Sequence, residues 1–326
     1  MSILNLSYCN NNILLCCTNT GFIIYNLIPE LEKKLCRQFD EEIILLRNHK
    51  NTNLFLLIKM CKNNVLVVWD DNKKKEILTI DVREKIKNAY ISEKKIIIVL
   101  ERKVCVFDFY GNMIDERTTC FNENGLSDIY LSETNIILVI LGSKKGVISL
   151  WKLYNDVKKV DEYLEIDAHN NNIEIMAISE DGKLIATASE IGTLIRIFNT
   201  NNGKLEYEFR RGSTSVSITN ICFNKNNTIL ACYSDNGTLH LFELTNLPIN
   251  KNTKSLFFNY KDYLPTFFNS QWSFQQFSLN IKKLIMKFDE NNNLHVCCYN
   301  GNYLRFNNQN GIFNSKSYGN LYINMN

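Results

Sequence analysis

Short apolar runs alternate with polar turns along the whole of this chain. The runs are rich in β-branched residues, as in Val65–Val68 and Ile96–Val99, and they are bounded by Asn, Asp, Gly and Lys. Strands are typically about four to eight residues long, whereas a helix places its apolar residues three and four positions apart. The pattern therefore predicts a chain of short strands, which is an all-β fold.

A unit of three predicted strands recurs along the chain, and each copy ends on an aromatic residue. The two clearest copies are 176–198 and 221–242. The terminal aromatic residues of all the copies are Tyr25, Trp69, Phe107, Trp151, Phe198, Phe242 and Phe306. Their spacings are 44, 38, 44, 47, 44 and 64 residues, and one four-stranded propeller blade occupies about 40–45 residues. Seven such anchors predict a single seven-bladed, WD40-like β-propeller over residues 1–326.

The last interval is about 20 residues longer than one blade requires. The excess falls in the sixth blade, in residues 245–269, where aromatic residues are mixed with lysines. Two interpretations fit this composition. The stretch is either an elaborated loop that folds back on its blade, or an exposed loop whose aromatic and basic residues suit a membrane interface.

The charge balance removes one large class of function. The 326 residues contain 37 Lys and Arg against 34 Asp and Glu, and a net charge of +3 is too small for a nucleic-acid binder that relies on bulk charge. A hydrophobic share of 45% and a charged share of 22% are typical of a globular protein. Recognition of an anion must therefore come from a local cluster of cations.

The 11 cysteines lie mostly inside apolar runs, and no pair has zinc-type CxxC spacing. We expect reduced thiols in the core of a cytoplasmic protein rather than redox or catalytic groups. The N-terminus lacks the pattern of a secretory signal. The longest apolar run, Ile136–Leu141, is far below the ~20 residues that cross a bilayer. We therefore expect a soluble protein that meets a membrane only from its surface.

The sequence shows no catalytic or metal-binding constellation. Gly-rich phosphate loops, GxSxG and HExxH are all missing. The histidines fall on separate predicted blades and do not form a metal set; they are His49, His169, His240 and His295. We therefore expect neither an enzyme nor a cofactor.

Two adjacent cations, Arg210 and Arg211, stand between the two clearest repeats. Adjacent residues of an extended strand point to opposite sides, so the two arginines can serve two pockets. A guanidinium suits phosphate because its fork of donors forms paired, charge-assisted hydrogen bonds. Most Arg-Arg pairs are simply solvated, but here each flanking repeat supplies hydroxyl groups and one basic residue at corresponding places. These are Ser189, Thr193 and Arg196 upstream, and Ser234, Thr238 and His240 downstream.

The segment Phe209–Gly212, following Ala186–Phe198, resembles the signature of the PROPPINs. These are seven-bladed propellers that bind polyphosphoinositides, and they include the WIPI proteins of autophagy. The resemblance covers most of the chain and is greatest to the members with a short C-terminal tail. Further segments that resemble the family are 67–71, 98–107, 124–129 and 270–273. The blade count and the place of the long segment, which follow from spacing alone, agree with this family.

The resemblance implies two phosphoinositide sites on the propeller rim. The first would contain Ser189, Thr193, Arg196 and Arg210, with His169 at its border. The second would contain Arg211, Ser234, Thr238 and His240, with Ser213 or Thr214 assisting. Residues 245–269 would be the family's membrane-inserting loop, whose candidate wedges are Phe257, Phe258, Phe267 and Phe268. An unperturbed His240 would titrate near pH ~6.5, which predicts a modest rise in binding at acidic pH.

These features predict a monomeric, cytoplasmic effector of phosphatidylinositol 3-phosphate and phosphatidylinositol 3,5-bisphosphate, recruited peripherally to autophagic, endosomal or vacuolar membranes. By resemblance it would act as a scaffold in autophagosome formation or membrane traffic, with a lipid-transfer protein or a conjugation component as its partner. The alternative is a WD40-type protein scaffold whose arginines contact an acidic peptide and which does not bind lipid. RNA binding is disfavoured because the chain has a low net charge and no basic stripe.

Overall fold

A computed structural model describes residues 2–10, 12–48, 52–156, 159–244, 271–309 and 311–321. The described residues form seven sheets, antiparallel except for one added parallel strand, which confirms the predicted seven-bladed β-propeller. Every predicted aromatic anchor lies on the third strand of its blade. The repeat detected from the sequence therefore corresponds to the structural unit of the fold.

The first four blades each contain four consecutive antiparallel strands. Their bounds are β1 (Ile3–Asn10), β2 (Ile13–Thr18), β3 (Gly21–Asn26) and β4 (Glu32–Gln38); β5 (Ile43–Asn48), β6 (Leu54–Lys59), β7 (Val65–Asp70) and β8 (Lys75–Asp81); β9 (Asn88–Ile91), β10 (Ile96–Val99), β11 (Lys103–Phe107) and β12 (Met113–Thr118); and β13 (Ser127–Leu131), β14 (Asn135–Leu141), β15 (Val147–Tyr154) and β16 (Glu162–Asp167). One 3₁₀ turn, Met60–Lys62, follows β6. Within the described ranges, no helix is long and apolar enough to span a bilayer.

The fifth and sixth blades depart from this simple order. The remaining bounds are β17 (Ile173–Ile178), β18 (Leu184–Ser189), β19 (Leu194–Asn199) and β20 (Leu205–Arg210); β21 (Ile218–Phe223), β22 (Ile229–Ser234) and β23 (Thr238–Glu243); β24 (Gln271–Trp272) and β25 (Gln275–Ser278); and β26 (Leu284–Phe288), β27 (Leu294–Cys298), β28 (Asn302–Gln309) and β29 (Ile312–Asn320). Strand β25 completes blade six, whereas β24 adds a parallel fifth strand to blade five.

The core is divided among the interfaces between successive blades. One buried apolar cluster lies at each of the seven interfaces, including the one between the seventh blade and the first. Inner strands such as β14 and β22 are covered on both faces and therefore read as continuous apolar runs. The outer strand β12 is largely exposed. The short apolar runs of the sequence are thus the inner strands of the blades.

The first strands of the blades surround a central cavity of about 990 Å³. Its lining includes charged residues of both signs, among them Arg47, Asp128, Glu180 and Lys287. Lys287 of blade seven and Glu180 of blade five form an ion pair at 2.7 Å, so part of this charge is compensated within the cavity lining. The cavity therefore has no strong charge of one sign.

Side-chain contacts close the ring, and within the described ranges the first and last blades share no strand. The Tyr25 hydroxyl donates to the Leu321 carbonyl at 2.7 Å, and the Tyr8 hydroxyl donates to the His295 carbonyl at 3.2 Å. Both bonds join residues almost 300 positions apart in the chain, and Tyr25 is fully buried. Two tyrosines of the first blade thus bind it to the seventh, beside their shared apolar cluster.

Seven of the cysteines are buried, in accordance with their prediction as core thiols. Burial raises the pKa of Cys16 and Cys222 to about 12 and that of Cys298 to about 11. At neutral pH these thiols are protonated, which is unsuited to nucleophilic or metal-binding chemistry.

Replacing Tyr25 by Phe is expected to lower the free energy of unfolding by about 1–3 kcal/mol, because the buried Leu321 carbonyl loses its donor. The matched control is Tyr110→Phe on a turn of blade three, where the side chain is 86% exposed and a change within about 0.5 kcal/mol is expected. Urea unfolding followed by tryptophan fluorescence measures both. Equal stability of the two variants would contradict a stabilising role for the hydrogen bond between Tyr25 and Leu321.

Candidate functional site

The two adjacent arginines lie at the end of β20, the fourth strand of blade five. Arg210 pairs with Leu194 of β19, and the Arg211 amide continues the ladder by donating to the Thr193 carbonyl at 2.9 Å. The chain therefore stays extended through both residues. Phe209 belongs to the apolar cluster between blades five and six, so Arg210 faces blade four and Arg211 faces blade six. The two guanidinium groups start from opposite faces of one sheet.

The face toward blade four brings together most of the first predicted set. Arg196 lies between Thr187 on β18 and Glu208 on β20. Glu208 is two residues before Arg210, so both point to the same face of the sheet. An Arg196 terminal nitrogen donates to the Ala168 carbonyl at 2.8 Å, which holds it against the connection that carries His169. Of the predicted group, Arg196, Arg210 and His169 therefore lie on the side of blade five that faces blade four.

His169 lies in the connection between β16 and β17, beside this group. Its Nε2 is 3.0 Å from the Thr187 hydroxyl. Burial, together with the nearby Arg196 cation, lowers the pKa of His169 to about 4. At neutral pH this imidazole is uncharged, so the positive charge of the first group comes from its arginines.

Glu208 is the member of this face that the sequence analysis missed. Its Oε2 accepts from Arg196 Nε at 2.8 Å, and both side chains are only partly exposed. A carboxylate among groups expected to bind phosphate orients Arg196 and also neutralises part of its charge. The available signal was the strand period of two, since Glu208 lies two residues before Arg210 on the same face.

The face toward blade six holds Arg211 in a buried position. Only 4% of Arg211 is exposed; its Nε donates to the Gly192 carbonyl at 3.0 Å, and a terminal nitrogen donates to the Thr214 carbonyl. Burial lowers the pKa of Arg211 from its usual value, while Asp235 raises it. An arginine remains charged in such a place, so the second group contains a cation fixed by two backbone carbonyls.

His240 corrects one expectation of the sequence analysis. It lies on β23 with 4% of its surface exposed, and its Nδ1 is 3.2 Å from the Ser273 hydroxyl. Burial lowers the pKa of His240 to about 4, and the Arg211 cation acts in the same direction. The predicted titration near pH ~6.5 is therefore wrong. Above about pH 5 this residue is a neutral imidazole.

The predicted hydroxyl residues fall into two kinds. Ser189 and Ser234 are buried, and the Ser234 hydroxyl bonds to Asn236 Oδ1 at 2.7 Å inside its own turn. Thr193 and Thr238 are half-buried, and each lies where the chain leaves a hairpin turn and enters the next strand, β19 or β23. Ser213 and Thr214, which follow Arg211, are exposed. Ser234 thus stabilises the β22–β23 turn, whereas the threonines and the exposed pair lie at the surface.

A short segment after residue 270 connects the two groups. Gln271 and Trp272 of β24 pair with Phe209 and Arg210, and three residues later β25 pairs with β23, placing Gln276 opposite His240. Ser273, between these strands, contacts His240 directly and is 33 residues from it in the chain. Apart from the resemblance of 270–273, no local pattern in the sequence pointed to this contact.

The predicted membrane-facing segment, 245–269, lies outside the described residues. The same holds for its four candidate wedges, Phe257, Phe258, Phe267 and Phe268. The described residues on either side are Leu244, which packs in the cluster between blades five and six, and Gln271 on β24. The flank at Gln271 therefore lies next to the arginine pair, because Gln271 and Trp272 pair with Phe209 and Arg210.

Comparison with known proteins identifies relatives along most of the chain. A family model described as PROPPIN matches residues 9–282. SVP1-like protein 2 of Pichia angusta is 31% identical over 281 residues, covering 82% of this chain and 77% of the relative. Autophagy-related protein 18e of Arabidopsis thaliana is 29% identical over 303 residues, covering 88% and 78%. A solved structure of Kluyveromyces lactis Hsv2 with complete loop 6CD aligns with a TM-score of 0.79 and 25% identity, covering 97% of each chain.

Replacing Gly192 by Ala is expected to destabilise the fold by about 2 kcal/mol or more. Its φ is +64°, and an added Cβ would lie 1.8 Å from the Val216 carbonyl oxygen. The matched control is Gly212→Ala, because a Cβ at Gly212 meets nothing within 4 Å; stability within about 1 kcal/mol of wild type is expected. Urea unfolding measures the free energy of unfolding of both variants. A Gly192→Ala protein as stable as wild type would contradict the steric restriction at this turn.

The low pKa of His240 predicts a loss of stability in acid. Its ordinary pKa is 6.5 and its folded value is about 4, so the unfolded chain takes up a proton first as the pH falls. Between pH 7 and pH 4.5 this one residue should reduce the free energy of unfolding by about 2 kcal/mol. Urea unfolding of wild type and His240→Gln at both pH values isolates the effect. Parallel pH dependences in the two proteins would refute it.

Proposed function

The chain belongs to the PROPPIN family of phosphoinositide-binding, autophagy-related β-propellers, and we propose that it is a peripheral membrane effector. It recognises phosphatidylinositol 3-phosphate and phosphatidylinositol 3,5-bisphosphate through two sites on either side of Arg210 and Arg211. The family is a lipid-binding and protein-interaction type rather than an enzymatic one.

The placement of the arginine pair carries this proposal. Both residues lie on one extended stretch of backbone, and each faces a different neighbouring blade. A polar neighbourhood accompanies each arginine, with Arg196, Thr187 and His169 on one side. The buried His240 lies on the other side, close enough to Arg211 for that cation to lower its pKa. A protein scaffold that contacts an acidic peptide has no need of two such separated cations.

The two sites differ in the charge that they offer to a headgroup. In the first site Glu208 compensates part of the Arg196 charge, and Arg210 is the second cation. In the second site Arg211 supplies the charge, and His240 supplies a neutral hydrogen-bonding group. Phosphate groups gain most from arginine because the hydrogen bonds are charge-assisted.

Simultaneous occupation gives the protein its membrane affinity in this proposal. Each headgroup site is weak by itself, but both are on one rigid propeller, so the second contact becomes intramolecular and raises avidity by roughly 100-fold or more. Residues 245–269 would add apolar burial at the headgroup–acyl boundary, since the strand that follows them pairs with Phe209 and Arg210. Recruited in this way, the propeller acts as a scaffold for autophagy proteins.

Liposome co-flotation tests the proposal. Wild-type protein is expected to float with vesicles that contain phosphatidylinositol 3-phosphate or phosphatidylinositol 3,5-bisphosphate, and not with vesicles that lack both. The Arg210→Thr/Arg211→Thr double variant should lose at least about 10-fold in the bound fraction at limiting lipid, because each site loses one arginine.

The matched control is Lys85→Thr/Lys94→Thr, which likewise removes two positive charges but lies away from the arginine pair. Lys85 is exposed in the connection between blades two and three, and Lys94 is exposed in blade three. It should float as wild type does. Circular dichroism must show that the double arginine variant remains folded. Failure of the wild type to float with any of the vesicles would overturn the lipid-effector proposal in favour of a protein scaffold. Equal losses in the two double variants would instead indicate attraction by bulk charge.

A further inference from the structure

Three side chains form a hydrogen-bonded chain that ends at His240. The Gln276 amide nitrogen donates to Ser273 Oγ at 2.7 Å, and Ser273 Oγ lies 3.2 Å from His240 Nδ1. Ser273 and His240 are both buried, at 5% and 4% exposure. The same short segment pairs with β20 through Gln271 and Trp272 and with β23 through Gln276. Backbone pairing to both blades therefore fixes the position of the serine.

The direction of the bond between Gln276 and Ser273 follows from the protons that each group carries. An amide nitrogen has only hydrogens to give, so Gln276 must be the donor and Ser273 Oγ the acceptor. The serine keeps one proton of its own to donate, and within the described residues the remaining polar neighbour of Ser273 Oγ is His240 Nδ1. When the serine donates this proton to Nδ1, that ring nitrogen carries no proton of its own, and the single proton of the neutral imidazole lies on Nε2.

The surroundings of the ring favour this neutral form. The Arg211 guanidinium repels a second positive charge, and the neighbouring Cys232 thiol on β22 is itself kept protonated by burial. The ring also stacks on Phe242, with 6.2 Å between centroids. No carboxylate of the described residues bonds to His240 to compensate an imidazolium. Charge, burial and hydrogen bonding all act in the same direction.

We propose that Ser273 and Gln276 are positioning residues that hold His240 as the neutral Nε2–H tautomer, so that the second site presents an uncharged imidazole donor beside the Arg211 cation. This inference rests on the proposed phosphoinositide function and specifies how one of its sites works. A phosphate oxygen accepts one bond from the imidazole and paired bonds from the arginine. The segment that follows residue 270 thus contributes to headgroup recognition without itself supplying a charge.

Nitrogen-15 NMR of the histidine rings tests the tautomer directly. The wild-type His240 signal, assigned by its loss in His240→Gln, should show a protonated Nε2 and an unprotonated Nδ1 at pH 7.5. Ser273→Ala should give a mixture of tautomers, and Ser273→Thr should restore the Nε2–H form. Gln276→Glu is the sharpest variant. A carboxylate only accepts, so Ser273 would donate to it and the ring proton would move to Nδ1.

Titration with inositol 1,3-bisphosphate, the soluble headgroup of phosphatidylinositol 3-phosphate, connects the tautomer to binding. The shift of the His240 signals reports the second site. Ser273→Ala should weaken this binding by about 3-fold to 10-fold, as expected for one misdirected hydrogen bond. Ser273→Thr should bind as wild type does. The matched control is Ser278→Ala, since Ser278 is exposed on the same segment and should leave both tautomer and binding unchanged.

The outcomes separate this inference from the function on which it rests. An Nδ1–H or charged ring in the wild type, or an unchanged ring in Ser273→Ala and Gln276→Glu, would overturn the inference even if the headgroup binds. An unchanged affinity in Ser273→Ala would overturn its role in recognition. A wild type that has the Nε2–H ring but neither binds the headgroup nor floats with lipid would support the hydrogen-bonded chain and refute the phosphoinositide function.

Discussion

The hydrogen bond from the Arg211 amide to the Thr193 carbonyl keeps the backbone extended for one residue beyond β20, and both candidate sites depend on it. In an extended chain neighbouring side chains point to opposite faces, so two adjacent arginines separate to the two sides of blade five. A chain that turned after Arg210 would lose this separation. The Gly192 turn supports the arrangement, because its left-handed backbone brings its carbonyl within 3.0 Å of Arg211 Nε.

The propeller fold also places the polar groups of the rim over a packed apolar core. Every interface between blades is filled by its own apolar cluster, so each polar group at the rim lies over a packed core. A guanidinium held against such a core, such as Arg211, loses water and is fixed by carbonyls before any ligand arrives. Preorganised donors need less ordering on binding than flexible surface side chains do. In this way a chain of net charge +3 can hold preorganised cations at its rim.

The two sites use the same residue types with different electrostatics. Arg196 is paired with Glu208, so the charge of the first site is partly neutralised before binding. In the part of the chain that the structure describes, the Arg211 guanidinium bonds to backbone carbonyls and to no carboxylate. Both histidines have pKa values lowered to about 4, mainly by burial, and each has a nearby arginine that acts in the same direction. Their contribution at neutral pH is therefore hydrogen bonding and shape. The arginines alone carry the positive charge.

The sequence by itself determined the repeat, the seven blades and the opposite directions of the arginine pair, because each follows from local periodicity: about 40–45 residues per blade and two per strand repeat. It also located the hydroxyl and basic residues that flank Arg210 and Arg211. The charge of His240 was beyond its reach, since burial and the Arg211 cation act through space rather than along the chain. The contact of Ser273 with His240 joins residues 33 positions apart across the edges of two blades. Only the tertiary structure decided these features, because they depend on which strands the fold brings side by side.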